Sequence, residues 1–306
     1  MNKNHYLLLV AMLIAMVSCK YKDYSKVAFT EPSPAPWETQ TISQVNKMEP
    51  HAHFIPYATI DQARSEDKWQ SPMLQSLNGM WKFNLAQNPS ERPYWFFMDD
   101  FDTRGWKDIK VPANWEIEGF DYPIYTNVKF PHKRTPPKIQ EHYNPVGSYK
   151  RTFTIPENWK GNDVVLHIGA ASSMVNLWVN EQYVGYSEDS KTPAEFNITQ
   201  FLKKGENSLA IEIFRWCDGS YLEDQDFWRM SGITRDIYLV ARAPQQVQDF
   251  RVISVLDSTY TNGVFSLNID VANNGENTSA VVEAVLNDNG TAVQNFSKNL
   301  DAGQNS

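Results

Sequence analysis

Cysteine is almost absent, with Cys19 and Cys217 the only two among 306 residues. A framework of disulfides is therefore excluded, and the chain must fold on a hydrophobic core. Clustered basic residues are lacking too. The net charge is −8, and the densest basic stretch, Lys129 to Lys138, is broken by prolines, which argues against a nucleic-acid partner. No stretch carries a long, capped helical period. No Gly-rich phosphate loop precedes a helix, and no Ser or Cys sits in a nucleophile elbow. The apolar run Tyr6 to Val17 falls short of the roughly 20 residues a helix needs to cross a bilayer core of about 30 Å. What the chain does have is hydrophobic residues at 42% and aromatic residues at 13%, including 10 Trp. That composition suits sheet-rich packing or sugar binding, in about two domains of roughly 100–200 residues each.

Residues 1–19 read as a signal peptide: a short polar start with Lys3 and His5, the apolar run, then Ser18 and Cys19. A Cys directly after such a run resembles the acylation site of bacterial lipoproteins; a conventionally cleaved, secreted protein is the alternative. Residues 20–36 are polar and carry Pro32, Pro34 and Pro36, as in a tether. Trp37 to Pro72 reads as an aromatic, irregular arm packed on the surface of another body. From Leu74 to Ala243, short period-2 runs alternate with turn signals, the pattern of an all-β sandwich. Ser148–Ile155, Val175–Val179, Tyr183–Tyr186, Asn207–Phe214 and Asp236–Val240 are its clearest strands. After Pro244, Val247–Leu256, Gly263–Val271 and Ala280–Leu286 read as the opening half of an immunoglobulin-like sandwich, which needs about seven strands. The expected second domain, 245–306, is thus incomplete.

The densest polar and aromatic segment is Arg215 to Asp236, expected to be a loop of about 18 residues and too long to lack a role. It carries Asp218, Glu223, Asp224 and Asp226 beside Arg215, Arg229 and Arg235, with Trp216, Tyr221, Phe227 and Trp228 expected to be buried. The bland reading is an ion-pair network holding the loop over the sheet. A second candidate is Asp121 to Val128, where Asn127 stands beside Tyr122 and Tyr125. Amides and carboxylates bind hydroxyl pairs and ring faces cover apolar C–H patches, so both segments have the residue types of a sugar site. His51 and His53 are spaced to share one side of a strand, but no third metal ligand accompanies them.

The run Asp218-Gly-Ser-Tyr-Leu-Glu-Asp-Gln-Asp-Phe-Trp-Arg-Met-Ser-Gly-Ile-Thr-Arg-Asp236 closely resembles the signature of large bacterial β-galactosidases of glycoside hydrolase family 2. Ser76–Phe83, Val111–Glu116, Pro123–Val128, Asn144–Tyr149 and Val184–Ser190 match in the same order. The resemblance implies a jelly-roll sugar-binding sandwich over 37–244 followed by the immunoglobulin-like sandwich, and then a (β/α)8 barrel that this chain lacks. It implies that Asp226 contacts galactose hydroxyls and ligates Na+, and that Asn127 contacts the sugar. Neither is the acid or the nucleophile. Those are barrel glutamates, which a retaining enzyme sets about 5–5.5 Å apart, and the Mg2+ ligands of the complete enzyme also lie outside this chain. Glu223, three residues from Asp226, is not expected to form a catalytic pair with it.

On this reading the partners are a galactoside, the missing barrel and further copies of the chain through the N-terminal region, with contact to a membrane only through a lipid anchor. The expected location is the periplasm or outer-membrane surface of a Gram-negative bacterium. The expected function is that of the front portion of an exported β-galactosidase, inactive alone. The alternative is a stand-alone glycan-binding surface lipoprotein.

Overall fold

The computed structural model describes residues 22–223, 225–273 and 279–300. The expected signal peptide and Cys19 lie outside the described residues. The strands of the first body are, in chain order, β1 (Gln44–Val45), β2 (Leu74–Ser76), β3 (Gly79–Ala86), β4 (Lys107–Val111), β5 (Ile124–Thr126), β6 (Val146–Thr154), β7 (Asp163–Ile168), β8 (Ala171–Ser172), β9 (Met174–Val179), β10 (Gln182–Glu188), β11 (Ala194–Asn197), β12 (Glu206–Phe214), β13 (Phe227–Arg229), β14 (Gly232–Ile233) and β15 (Ile237–Arg242). A seven-stranded sheet, ordered β1-β10-β9-β12-β6-β3-β4, faces a four-stranded sheet, ordered β11-β7-β15-β2. The all-β sandwich is as the alternating runs require.

Period-2 alternation explains the core. Trp81 and Phe83 of β3, Tyr149 and Phe153 of β6, Leu177 and Val179 of β9, and Ile211 and Ile213 of β12 turn inward. They meet Leu166 and Ile168 of β7, Phe196 of β11 and Leu239 of β15. Strand β12 departs from alternation, being buried from Asn207 to Phe214. Its outward face is covered as well. Trp37 packs on Phe214 with ring centroids 4.3 Å apart, and Glu212 pairs with Arg92 at 3.1 Å.

That covering corrects two expectations. The described part of the expected tether, residues 22–36, does not run free. From Lys22 onward it lies on the sandwich: Tyr24 donates to Asp100 at 2.6 Å, and Glu31 meets Arg92 at 2.6 Å. The arm from Trp37 likewise packs on its own sandwich, where β1 pairs antiparallel with β10 through Gln44 and Ser187.

Packing in the core leaves no room for a side chain at Gly147 on β6. A Cβ there would stand 2.6 Å from the Trp115 ring and 2.9 Å from Phe83, both fully buried. Gly147→Ala is expected to cost about 1–3 kcal/mol through overpacking, read as a lowered midpoint in chemical denaturation.

Beyond the sandwich, β16 (Gln245–Leu256) pairs with β17 (Gly263–Asn273), and β18 (Ala280–Asp288) with β19 (Thr291–Leu300). These are the three expected strands plus β19. Val252, Val255, Val264, Val281 and Val285 of these two hairpins are exposed.

Candidate sugar-binding edge

The segment Arg215 to Asp236 is not the unstructured loop its length implies. It holds a single turn at Asp218–Leu222 and the short strands β13 and β14. The partners of those strands lie far away in sequence, which is why alternation does not reveal them. Strand β13 pairs with β5, matching Phe227 to Thr126, Trp228 to Tyr125 and Arg229 to Ile124. Continuing that register by one residue sets Asp226 opposite Asn127. The two candidate residues, from loops about 100 positions apart, thus stand at the same end of one ribbon.

The ribbon has two faces. Ile124, Thr126, Phe227 and Arg229 are half-buried or buried, while Tyr125, Asn127, Asp226 and Trp228 are exposed. Arg229 fastens the inner face: its guanidinium lies over the Phe227 ring at 4.4 Å and donates to the Glu223 carbonyl at 3.0 Å. On the outer face, the Tyr125 hydroxyl donates to Asp226 Oδ1 at 2.8 Å. The carboxylate that accepts this proton holds the Tyr125 hydroxyl above its ordinary pKa. The Tyr125 and Trp228 rings lie 5.4 Å apart and are 53% and 55% exposed. Trp228 therefore differs from expectation, since it faces outward. Trp216 is buried as expected.

Arg215 supports the ribbon from below. It pairs with Asp121 at 2.5 Å and reaches Glu116 at 3.6 Å, and it donates to the Tyr143 hydroxyl at 2.9 Å. Its second nitrogen donates to the carbonyls of Tyr122 and Arg229, one beside each strand of the ribbon. Burial pushes the Glu116 carboxyl up to about 7, against the Ser231 N–H and Arg215, which both favour its charge. The ion-pair reading of the loop thus holds for Arg215, but its partners come from outside the loop. Sequence pattern alone did not single out Glu116, Asp121 or Tyr143 as those partners.

Glu223 is committed elsewhere. Both its oxygens accept from Ser190, backbone and side chain, which makes it a structural tie and not a partner of Asp226. Asp224 lies outside the described residues. His51 and His53 do not converge on a metal: His51 meets Glu195 at 2.7 Å, and His53 lies beside His167. Among the described residues, no group of three or more His, Cys, Asp or Glu is arranged to hold a metal ion.

An edge that presents an amide, a carboxylate and two exposed rings has the chemistry of hydroxyl recognition. Residues 74–243, more than half of the chain, match the model of the glycosyl hydrolases family 2 sugar binding domain. The chain belongs to glycosyl hydrolase family 2. It is 45% identical over 236 residues to a β-galactosidase of Priestia megaterium, covering 76% of this chain and 23% of that protein. It is 38% identical over 256 residues to a β-galactosidase of Halalkalibacterium halodurans, covering 82% and 25%. A calcium binding mutant of Bacteroides uniformis β-glucuronidase 2 has a similar structure, with a TM-score of 0.59 and 25% identity over 76% of this chain and 27% of that one. The chain spans about a quarter of the length of these relatives.

Proposed function

We propose that this family 2 domain serves an exported, retaining β-galactosidase, binding the terminal galactosyl unit with Asn127 and Asp226. The observation that carries the reading is the β5–β13 ribbon, whose register sets both residues on one exposed face beside the Tyr125 and Trp228 pair. In the proposed complex, Asn127 offers a donor and an acceptor to the sugar hydroxyls, and Asp226 accepts from a hydroxyl pair. The bond-breaking carboxylates are supplied by another domain. Glu223, the carboxylate three residues from Asp226, is held by Ser190 through both its oxygens.

An exposed carboxylate also suits a hard cation such as Na+, which is bound by oxygen. Asp226 would give it one ligand, the remaining ligands coming from the sugar and from outside the described residues. The ion would fix the orientation of a galactose hydroxyl. Mg2+ ligands are likewise assigned to the catalytic domain. Export through the N-terminal segment, with Cys19 as lipid attachment site, and self-association complete the proposal.

A hydrogen bond to a charged group contributes about 1.5–3 kcal/mol. Asp226→Ala in the complete enzyme is therefore expected to lower kcat/KM on nitrophenyl β-galactoside about 10- to 150-fold, with an unchanged thermal midpoint. Unchanged kinetics would remove Asp226 from the sugar site. The 306-residue chain alone should hydrolyse no galactoside, and measurable turnover would overturn the assignment of the chemistry to another domain.

A further inference from the structure

The outward face of the seven-stranded sheet carries a second concave surface. Segment 89–106 lies across it: the Phe97 ring stacks on Trp178 of β9 at 5.0 Å, and Lys150 of β6 donates to the Phe96 carbonyl at 3.1 Å. Against this segment lies the chain from Lys22 to Phe29. The two enclose a cleft of about 1050 Å³, at the upper end of ligand-sized cavities. None of its lining residues belongs to the β5–β13 ribbon or to the loops that carry it.

The cleft is built of rings. Tyr24 stacks between Trp95, at 6.3 Å and 29°, and Phe101, at 6.1 Å and 25°. Phe29 stacks on Tyr94 at 4.4 Å and 18°, and meets Trp95 edge-on. These rings are held in place before any ligand arrives. Tyr24 donates to Asp100, the Trp95 indole donates to the Val27 carbonyl at 3.2 Å, and Arg92, fixed by Glu31 and Glu212, lies over Tyr94 at 4.4 Å. Preorganised rings bind without the cost of ordering them. Charges of both signs line the cleft, with Lys22, Arg92 and Arg104 beside Asp23 and Asp102. Arg92 is matched by Glu31 and Glu212, and Arg104 by Asp102, so the cleft offers donors and acceptors without a strong net charge.

The geometry points to a second carbohydrate site in this cleft, taking a neutral oligosaccharide whose apolar C–H faces lie on the Trp95 and Phe29 rings. Aromatic planes cover C–H patches, and the mixed charges meet hydroxyls. The N-terminal wall, Lys22 to Phe29, lies outside the 74–243 stretch that matches the family model, and the facing wall, Arg92 to Arg104, lies within it. The cleft would hold a chain of sugars at a distance from the Asn127 and Asp226 edge, keeping the protein on a polymer whose ends are processed elsewhere.

The test is isothermal titration of the 306-residue chain with β-1,4-galactotetraose and with cellotetraose. We expect saturable binding of at least one tetraose, retained in Asp226→Ala and weakened about tenfold or more in Trp95→Ala. Because Trp95 also contributes to packing, Phe29→Ala is the companion variant. Phe29 is 39% exposed, and its loss should weaken binding with a smaller fall in the thermal midpoint than Trp95→Ala. Absence of binding by either sugar at millimolar concentration overturns the proposal. So does binding that Asp226→Ala abolishes and both ring variants leave intact; the Asp226 site would then stand and the cleft would not.

Discussion

Replacing Arg215 by methionine is expected to cost about 3–5 kcal/mol of folding stability, the range for removing one partner from a buried ion pair. The guanidinium side chain is only 1% exposed, and its partners Asp121 and Glu116 are 3% and 0% exposed. Methionine fills much of the space but leaves both carboxyls without a counter-charge. The lost hydrogen bonds to the Tyr122 and Arg229 carbonyls add only about 1 kcal/mol each, so the electrostatic part dominates. A loss of that size lowers the thermal midpoint by roughly 6 °C or more.

Two further readouts separate this account from simple loss of packing. The deficit should shrink on acidification, as the stranded carboxyls take up protons. Glu116 sets the sign for the wild type as well. Its folded value of about 7 lies above its ordinary 4.5, so its contribution is present below pH 4.5 and is lost as pH rises through about 7. The second readout is local. Arg215 is a positioning residue that ties the base of both ribbon strands, so amide exchange at 124–126 and 227–229 should quicken in Arg215→Met. Arg215→Lys, which keeps the charge but not the fork, should recover stability more fully than ribbon protection. A methionine variant with wild-type stability at neutral pH would refute the buried-pair argument.

Parts of this architecture could be read from the chain and parts could not, for identifiable reasons. Strand β9 shows the period, with Val175, Leu177 and Val179 buried and Asn176 and Trp178 less so, while β6, β10 and β15 stand out as runs bounded by turn signals, though successive residues of each are buried. Strand β7 hides its period: Val164, Val165 and Leu166 are all buried, so it reads as an apolar run with no preferred face. Strands β5 and β13 span three residues each, too few for any pattern, and only long-range pairing creates them. Asn127 and Asp226 were reachable through the resemblance carried by their loops, while their shared face was not, because register belongs to the pairing. Trp228 inverts the usual preference of tryptophan for the interior, being placed by alternation opposite the anchored Phe227 and Arg229. The segment from Lys22 to Phe29 reads as a tether because its rings are scattered among charges and prolines. Their stacking on Tyr94, Trp95 and Phe101 needs partners some 70 residues away.

Removing the carboxylate of Glu195 should be comparably damaging, and it should change the shape of the stability profile with pH. Glu195 on β11 stands directly across from His167 on β7. One of its oxygens meets His167 at 2.7 Å, and the other meets His51 at 2.7 Å and Arg242 at 2.9 Å. All four side chains are 6–14% exposed. Burial alone would raise the Glu195 carboxyl, but the hydrogen bonds from His167 and His51 and the Arg242 guanidinium hold it well below the usual carboxylate range. Both ring nitrogens of His51 face oxygens, Nδ1 the Ala52 carbonyl and Nε2 Glu195, which favours the doubly protonated ring, while Arg242, whose Nη2 lies 2.9 Å from Nε2, opposes it. The His51 pKa is raised on balance, first by Glu195 and against burial. The signs then fix a window. The Glu195 contribution is present above its ordinary 4.5 and is lost only as pH falls through its depressed value. The His51 contribution is complete below 6.5 and is lost as pH rises through its raised value. Maximum stability from this cluster lies between about pH 4.5 and 6.5. Glu195→Gln is expected to lose about 3–5 kcal/mol within that window, because Arg242 and the histidines are left without an anion, and to flatten the decline above pH 6.5. His51→Gln should flatten the same limb at a smaller cost. A Glu195→Gln variant whose denaturation midpoint still falls above pH 6.5 as steeply as the wild type would show that the decline originates elsewhere.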